Sequence, residues 1–142
     1  MKNIFALVFT VLLFSSLQAQ DKGDNLIVIT TNRFPEENFR QFGRHLISEG
    51  YSFESKDADF YTLKTNYTVI SAGANYRMNI TFIDSMIYIR PEVETRGMDV
   101  RARPVLLSWT YSNSKINVFK YAYDHFSPKI RRYNYPVTFK KE

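Results

Sequence analysis

A strict alternation of apolar and polar residues between positions 75 and 82 constrains the fold of this chain more than any other feature. Tyr, Met, Ile and Phe occupy the even positions of this segment, and Asn, Arg, Asn and Thr occupy the odd ones. Successive side chains of a β-strand point to opposite faces, so the pattern predicts a strand with one face in the core and one in water. Asp84 and Ser85 then favour a tight turn into a second strand from Met86, which Pro91 is expected to limit.

The chain before this hairpin carries a buried-strand pattern followed by a helix pattern. Residues 26–31 are a short run of mostly β-branched residues, which predicts a strand buried on both faces. From Pro35 onward the apolar residues recur at spacings of three and four, which predicts an amphipathic helix. Gly43 lies within this stripe, where a glycine would let the helix approach a sheet closely, and Gly50 is the predicted C-cap. The stripe consists of Phe39, Phe42, Leu46 and Ile47.

The final third of the chain is compatible with two local structures. Residues 105–111 favour a strand after a loop at 101–104. Residues 115–126 favour a helix that Ser114 could cap and Pro128 would end, because their apolar side chains fall on one helical face. The same segment is rich in strand-forming residues, so a hairpin turning at 112–114 remains open. The fold class is predicted to be α+β, with one or two helices packed on one face of a curved antiparallel sheet.

The first 19 residues have the pattern of a secretory signal peptide. Lys2 precedes an apolar run of eleven residues at 4–14, and small or polar residues lead to a predicted cleavage after Ala19. A run of this length is shorter than the roughly 20 apolar residues that span a membrane. Residues 20–142 are then expected to form one α+β domain whose C-terminal third is basic and aromatic.

The chain contains no cysteine, which narrows the kind of exported protein that it can be. Exported domains often rely on disulfides, but the stability of this chain has to come from its core. A lipoprotein would also need a cysteine directly after its leader. We therefore expect a periplasmic or extracellular protein that is soluble, is not a lipoprotein and has no membrane span after leader removal.

Several short patterns in the chain resemble those of small uncharacterised exported proteins of the Bacteroidota. They are the leader ending at 17–20, the helix ending in Glu49-Gly50-Tyr51, and the strand patterns at 60–65 and 76–79. Some of those domains are similar in fold to the TATA-binding protein, so the resemblance implies an α+β fold and an exported location. It implies neither DNA binding nor any catalytic residue.

Charge is distributed unevenly along the chain. Residues 20–100 hold nine basic and twelve acidic side chains, a net charge of −3, whereas residues 101–142 hold nine basic and two acidic, a net charge of +7. Cations interleaved with aromatic rings suit a surface that stacks sugars and neutralises anions. A solvated basic edge strand and half-buried aromatic strands explain the same composition. The candidate binding surface comprises Trp109, Tyr111, Tyr121, Lys129, Arg131, Arg132, Tyr133 and Tyr135.

Signatures of catalysis are sparse. Two distant histidines, His45 and His125, are both expected at the surface, and without cysteine they do not suggest a zinc site. No P-loop, dinucleotide fingerprint or serine elbow occurs, so no cofactor, metal or catalytic residue is predicted. Two pairs of carboxylates are candidates for acid–base chemistry, although acidic residues at turns and on polar strand faces are common. These pairs are Asp57 with Asp59 and Glu92 with Glu94.

Ser85 is a candidate for modification. It follows an aspartate and precedes a methionine at the predicted hairpin tip. That order matches the short pattern at which Bacteroidota attach O-linked glycans to exported proteins, and an ordinary turn explains it equally well.

The leading functional hypothesis is an exported, non-enzymatic module that binds a protein, an anionic glycan or another envelope component through its basic aromatic surface. Nucleic acid is not an expected partner. One alternative is a carboxylate-dependent hydrolase or isomerase with its site in a sheet cleft. Another is an inhibitor-like or assembly protein whose open sheet packs against a second protein.

Overall fold

A computed structural model describes residues 23–71, 74–95, 105–111 and 117–142. Within these ranges the chain forms an antiparallel sheet with two helices packed against it, which confirms the predicted α+β class. The predicted leader, the loop at 101–104 and Ser114 lie outside the described residues. The helices are α1 (Pro35–Ser48) and α2 (Val118–Arg131). The strands are β1 (Leu26–Thr30), β2 (Phe53–Asp57), β3 (Thr62–Thr65), β4 (Thr68–Ser71), β5 (Ala74–Ile83), β6 (Met86–Thr95), β7 (Val105–Ser108) and β8 (Val137–Lys140).

The predicted hairpin is present as β5 and β6, and it lies in the interior of the sheet order. Ile83 pairs with Met86 across the two-residue turn, where Asp84 takes a positive φ of 51°. The even residues of β5 are buried, and the odd ones are partly exposed except Ile83, which is exposed. The strand order is β2-β3-β5-β6-β1-β8, with β4 also pairing with β5 and β7 also pairing with β6. β1 lies between β6 and β8, and four of its five residues are buried.

The expectation that Pro91 limits β6 is wrong, because the strand continues through it to Thr95. The carbonyl of Pro91 accepts the backbone N–H of Trp109 at 3.0 Å, so its ring nitrogen also faces away from β5. On that side the pairing of β1 ends opposite Ile89 and the pairing of β7 begins opposite Glu92. Proline therefore occupies the junction between two partner strands, where its missing N–H removes no ladder hydrogen bond.

Helix α1 begins and ends where the sequence predicts. Its C-terminus closes with two hydrogen bonds, from the N–H of Tyr51 to the carbonyl of Leu46 at 2.9 Å and from the N–H of Gly50 to that of Ile47 at 3.0 Å. Gly50 supplies the positive φ of 89° that this motif requires. Ile47 does not belong to the buried stripe, since it is 54% exposed, whereas Leu46 and Phe42 are fully buried.

Residues 118–131 form a helix, so the open alternative of a hairpin is wrong in this part of the chain. Asn117 caps α2, because its Oδ1 accepts the N–H of Phe119 at 2.9 Å. Pro128 lies inside α2 and does not end it. Its missing N–H leaves only the carbonyl of the exposed Asp124 without a helical donor, and continuing the helix buries Ile130.

Both helices cover the same face of the sheet. Phe42 of α1 packs on Phe82, and Phe126 of α2 packs on Tyr76, with ring centroids 6.3 and 5.7 Å apart. Phe82 and Tyr76 point to one face of β5, so the two helices share one core. No described helix packs on the opposite face, where the odd residues of β5 lie.

Candidate functional site

Two tyrosines from the C-terminal part of the chain meet an arginine from the loop between β1 and α1. We call Arg33, Tyr133 and Tyr135 the tyrosine platform. The two tyrosine rings lie 5.2 Å apart at a tilt of 38°. The guanidinium of Arg33 lies 5.2 Å from the centre of the Tyr135 ring, and its Nη1 donates to the hydroxyl of Tyr133 at 3.4 Å. The three side chains therefore form one continuous aromatic and cationic surface.

Residues of α1 hold the Tyr133 ring of the platform in place. The Tyr133 ring packs edge-on against the Phe42 ring, with centroids 4.9 Å apart, and it also contacts the His45 ring, whose centroid is 5.1 Å away. Burial raises the pKa of Tyr133, against the lowering effect of Arg33, so its hydroxyl stays neutral and can both donate and accept a hydrogen bond. Tyr135 donates from its hydroxyl to Asn32 Oδ1 at 3.3 Å. Both ring orientations are thus set before any ligand binds.

The loop that carries Arg33 is anchored by Asn38, a fully buried polar residue of α1. Its Nδ2 donates to Thr31 Oγ1 at 2.9 Å and to the carbonyl of Arg33 at 3.1 Å. Arg33 also forms an ion pair with Glu37 at 2.8 Å. Phe34, the next residue along the chain, is 81% exposed.

Sequence reasoning missed Arg33 and Asn38. Arg33 joins Tyr133 across a separation of 100 residues, which no local pattern reveals. Asn38 precedes Phe42 and Leu46 at intervals of four, so it occupies the buried side of α1. A polar residue at such a position indicates an internal hydrogen bond, which Asn38 makes through its Nδ2, and that signal was available in the sequence.

Trp109 does not belong to any binding surface, and its assignment as a surface residue is wrong. It is 0% exposed, and its ring packs on Phe126 and Tyr123 with centroids 5.4 and 6.1 Å away. The indole N–H donates to the carbonyl of Phe119 at 2.9 Å. Because the backbone of α2 satisfies its one polar atom, the whole ring can be buried without a desolvation penalty.

The other predicted surface residues separate into different environments. Tyr111 is half-buried between Trp109 and Tyr123, and Tyr121 is 50% exposed on α2. Three of the predicted cations have local partners in the described part of the chain. The ammonium of Lys129 lies 4.8 Å from the centre of the Tyr51 ring. The guanidinium of Arg131 lies 5.5 Å from the centre of the Phe139 ring. Arg132 forms an ion pair with Glu49.

A chain of three hydrogen-bonded side chains links the sheet to α2. The hydroxyls of Tyr51 and Tyr76 are 2.6 Å apart, and the Tyr76 hydroxyl is 2.8 Å from His125 Nδ1. Burial raises the pKa of Tyr51 to about 12 and raises that of Tyr76 far above its ordinary value of 10. Burial and the nearby Lys129 lower the pKa of His125. All three groups are therefore neutral at neutral pH, and neither tyrosine can serve as a base there.

Both histidines are partly exposed, as a surface position predicts, but each also contacts a distant element, which the sequence does not indicate. His125 is half-buried and bonded to Tyr76. His45 is half-buried, stacks on Phe42 at 5.9 Å, and places Nε2 2.9 Å from the carbonyl of Lys129. Each histidine joins two elements that are distant in sequence, so only the packing of the helices reveals the contacts.

Three of the four carboxylates considered for acid–base chemistry accept structural hydrogen bonds. Asp57 accepts the N–H groups of Asp59 and Phe60 at 3.0 Å each, which is turn chemistry. Glu92 accepts from Arg77 at 2.7 Å, and Glu94 accepts from Asn75 at 3.4 Å. In the part of the chain that the structure describes, no three histidine, aspartate or glutamate side chains are placed to hold a metal ion.

Ser85 lies at the tip of the β5–β6 hairpin and is partly exposed. Its carbonyl accepts the N–H of Thr31 at 2.8 Å and the hydroxyl of Thr31 at 3.1 Å. The turn is thus tied to the end of β1. Glycosylation at Ser85 stays a prediction.

Comparisons with known proteins add no relative to this description. No protein-family model, curated protein or solved structure matches the chain. The resemblance to exported Bacteroidota domains therefore stays a prediction. Neither of the helices described above is long and apolar enough to cross a membrane.

Proposed function

We propose that this chain is an exported, non-enzymatic binding module that holds an anionic glycan on the tyrosine platform. The observation that carries the proposal is the contact of Arg33 with both Tyr133 and Tyr135. Tyrosine offers an apolar ring face to a sugar and a hydroxyl to its polar groups, while arginine supplies charge and several donors. These are also the side chains that contribute most often to binding hot spots.

The preorganised geometry of the platform supports binding. Packing against Phe42 and His45 orients the Tyr133 ring, and a hydrogen bond to Asn32 orients that of Tyr135. A ligand then loses little free energy to the ordering of side chains. The export part of the proposal rests on the leader pattern.

Retention on immobilised heparin, an anionic polysaccharide, tests the proposal. Arg33→Gln and Tyr135→Ala are each expected to weaken binding roughly tenfold, or about 1.4 kcal/mol, and raised salt should weaken it further. Tyr121→Ala is the matched control, because Tyr121 is an exposed tyrosine of the same C-terminal third outside the platform.

Two results would contradict the proposal. One is that the unaltered protein passes through the column at low salt. The other is that Tyr121→Ala reduces retention as much as Tyr135→Ala does, since binding would then follow the general charge and aromatic content. Circular dichroism of each variant shows whether its fold is kept.

A further inference from the structure

A groove runs along α1 on the side away from the tyrosine platform. We call it the α1 groove; it lies between Arg40, Gly43, Arg44 and Ile47 of α1 and Phe53 and Lys56 of β2. Its volume is about 130 Å³. An apolar cavity of about 150 Å³ accepts one benzene ring, so the groove has room for a single aromatic or branched aliphatic group.

The floor of the groove is apolar, because Gly43 of α1 faces Leu63 of β3 there. A Cβ atom at Gly43 would lie 3.5 Å from Leu63 Cδ1, so the helix backbone rests directly above β3. Phe53 closes one side of the groove. Ile47 stands at the other side with 54% of its surface in water, although the helical pattern marks it as a core residue.

The rim of the groove is positively charged and poorly neutralised. Arg40 Nη2 is 3.8 Å from Glu36 Oε1, and both side chains are more than 60% exposed. Such an exposed ion pair contributes little free energy, so Arg40 stays available to a ligand. Arg44 and Lys56 have no carboxylate within ion-pair distance among the described residues. The ammonium of Lys56 instead lies 4.6 Å from the centre of the Phe53 ring.

We propose that the α1 groove docks an acidic segment of a partner protein, which inserts one aromatic or branched aliphatic side chain between flanking carboxylates. The three cations fit the carboxylates, and the apolar floor fits the inserted group. A protein suits the site better than a small molecule does. The groove is open on one side, and the exposed Ile47 continues the apolar surface of the groove outward. A small ligand would therefore leave both the open side of the groove and Ile47 partly in water. This binding surface is separate from the proposed glycan site.

A short peptide is the probe for this inference. Isothermal titration calorimetry would measure its binding to the full chain, with a capped pentapeptide of one phenylalanine flanked by two glutamates on each side. Arg44→Gln is expected to weaken binding about threefold, the effect of losing one exposed ion pair. Ile47→Ser should weaken it as well. Lys140→Gln, at the opposite edge of the sheet, is the matched control and should leave binding unchanged.

The chemistry of the probe provides the second half of the test. Replacing its phenylalanine with alanine, or its glutamates with lysines, should abolish binding. Equal binding of the alanine peptide would overturn the inference, because simple charge attraction would then be sufficient. Phenylacetate that binds as tightly as the peptide would overturn the assignment to a protein partner, and so would the absence of any peptide binding. Arg44→Gln should retain full binding to heparin, which separates this test from that of the tyrosine platform.

Discussion

The hydroxyl group of Tyr76 lies inside the core, yet it has a partner on each side. Tyr51 lies 2.6 Å away and His125 lies 2.8 Å away. A buried polar group without a partner destabilises a fold, so this chain of contacts is what allows a tyrosine at the centre of β5. The same series of hydrogen bonds connects β5 to α2.

Removing the central hydroxyl should therefore be costly. Tyr76→Phe leaves both Tyr51 and His125 without their buried partner, and we expect the free energy of unfolding to fall by about 1–3 kcal/mol. Urea denaturation followed by circular dichroism measures the change. Tyr88→Phe is the matched control, because that hydroxyl donates only to Met86 Sδ near the sheet surface, and it should change stability by less than about 0.5 kcal/mol. Equal losses of stability in the two variants would show that the hydrogen bonds of the Tyr76 hydroxyl contribute no more to stability than that of Tyr88.

The half-buried His125 should make stability depend on pH. Burial and Lys129 lower its pKa in the folded protein below the ordinary value of 6.5, so the unfolded chain takes up a proton more readily than the folded one. Stability from the neutral imidazole is complete above pH 6.5 and declines as the pH falls toward the lower folded pKa. Urea midpoints measured between pH 7.5 and 5 check this (roughly the range in which histidine titrates). His125→Gln should flatten the decline, and an unchanged profile in that variant would assign the dependence to other groups.

Helix α1 and the turn that ends it hold two glycines, of which the structure needs only the second. Gly50 adopts a φ of 89°, whereas Gly43 has ordinary helical geometry and leaves space for a methyl group 3.5 Å from Leu63. Sequence reasoning assigned Gly43 to close packing on the sheet. The packing is present, but the distance is an ordinary van der Waals contact and so does not require glycine.

Gly43 within α1 and Gly50 after it provide a paired test. Gly43→Ala should stabilise the protein by about 0.5–1 kcal/mol, because alanine loses less backbone entropy in a helix. Gly50→Ala should destabilise it by about 1–2 kcal/mol, since the left-handed conformation is strained for alanine. Thermal unfolding monitored by circular dichroism measures both changes. Destabilisation by Gly43→Ala would mean that the contact with Leu63 is tighter than the distance indicates.

Helix α2 shows why tertiary contacts decide an ambiguous element. Its segment contains strand-forming residues and an internal Pro128, and both weaken a helix in isolation. Burial of Ala122, Phe126 and Ile130 along one face offsets that weakness. Their spacing of four continues past Pro128, a signal that a search for helix stops overlooks.

The whole molecule is a sheet with two unlike faces. The helix-covered face holds the shared core, and the other carries charged residues such as Arg77, which contacts Glu92 at 2.7 Å and Glu54 at 3.0 Å. Among the described residues this face has no covering helix. The hypothesis of an assembly protein that uses an open sheet face stays a prediction, and the two proposed sites lie at either side of α1.

The sequence by itself determined the features that depend on neighbours along the chain. These are the β5–β6 hairpin, the extent of α1 and the glycine at position 50 that follows its C-cap, because side-chain period and turn geometry act over a few residues. Only the tertiary structure decided that Trp109 is buried and that Arg33 meets Tyr133. Burial of an amphipathic ring depends on whether a distant backbone carbonyl can accept its N–H. A surface site depends on which loops the sheet order brings together, and neither property is encoded in local spacing.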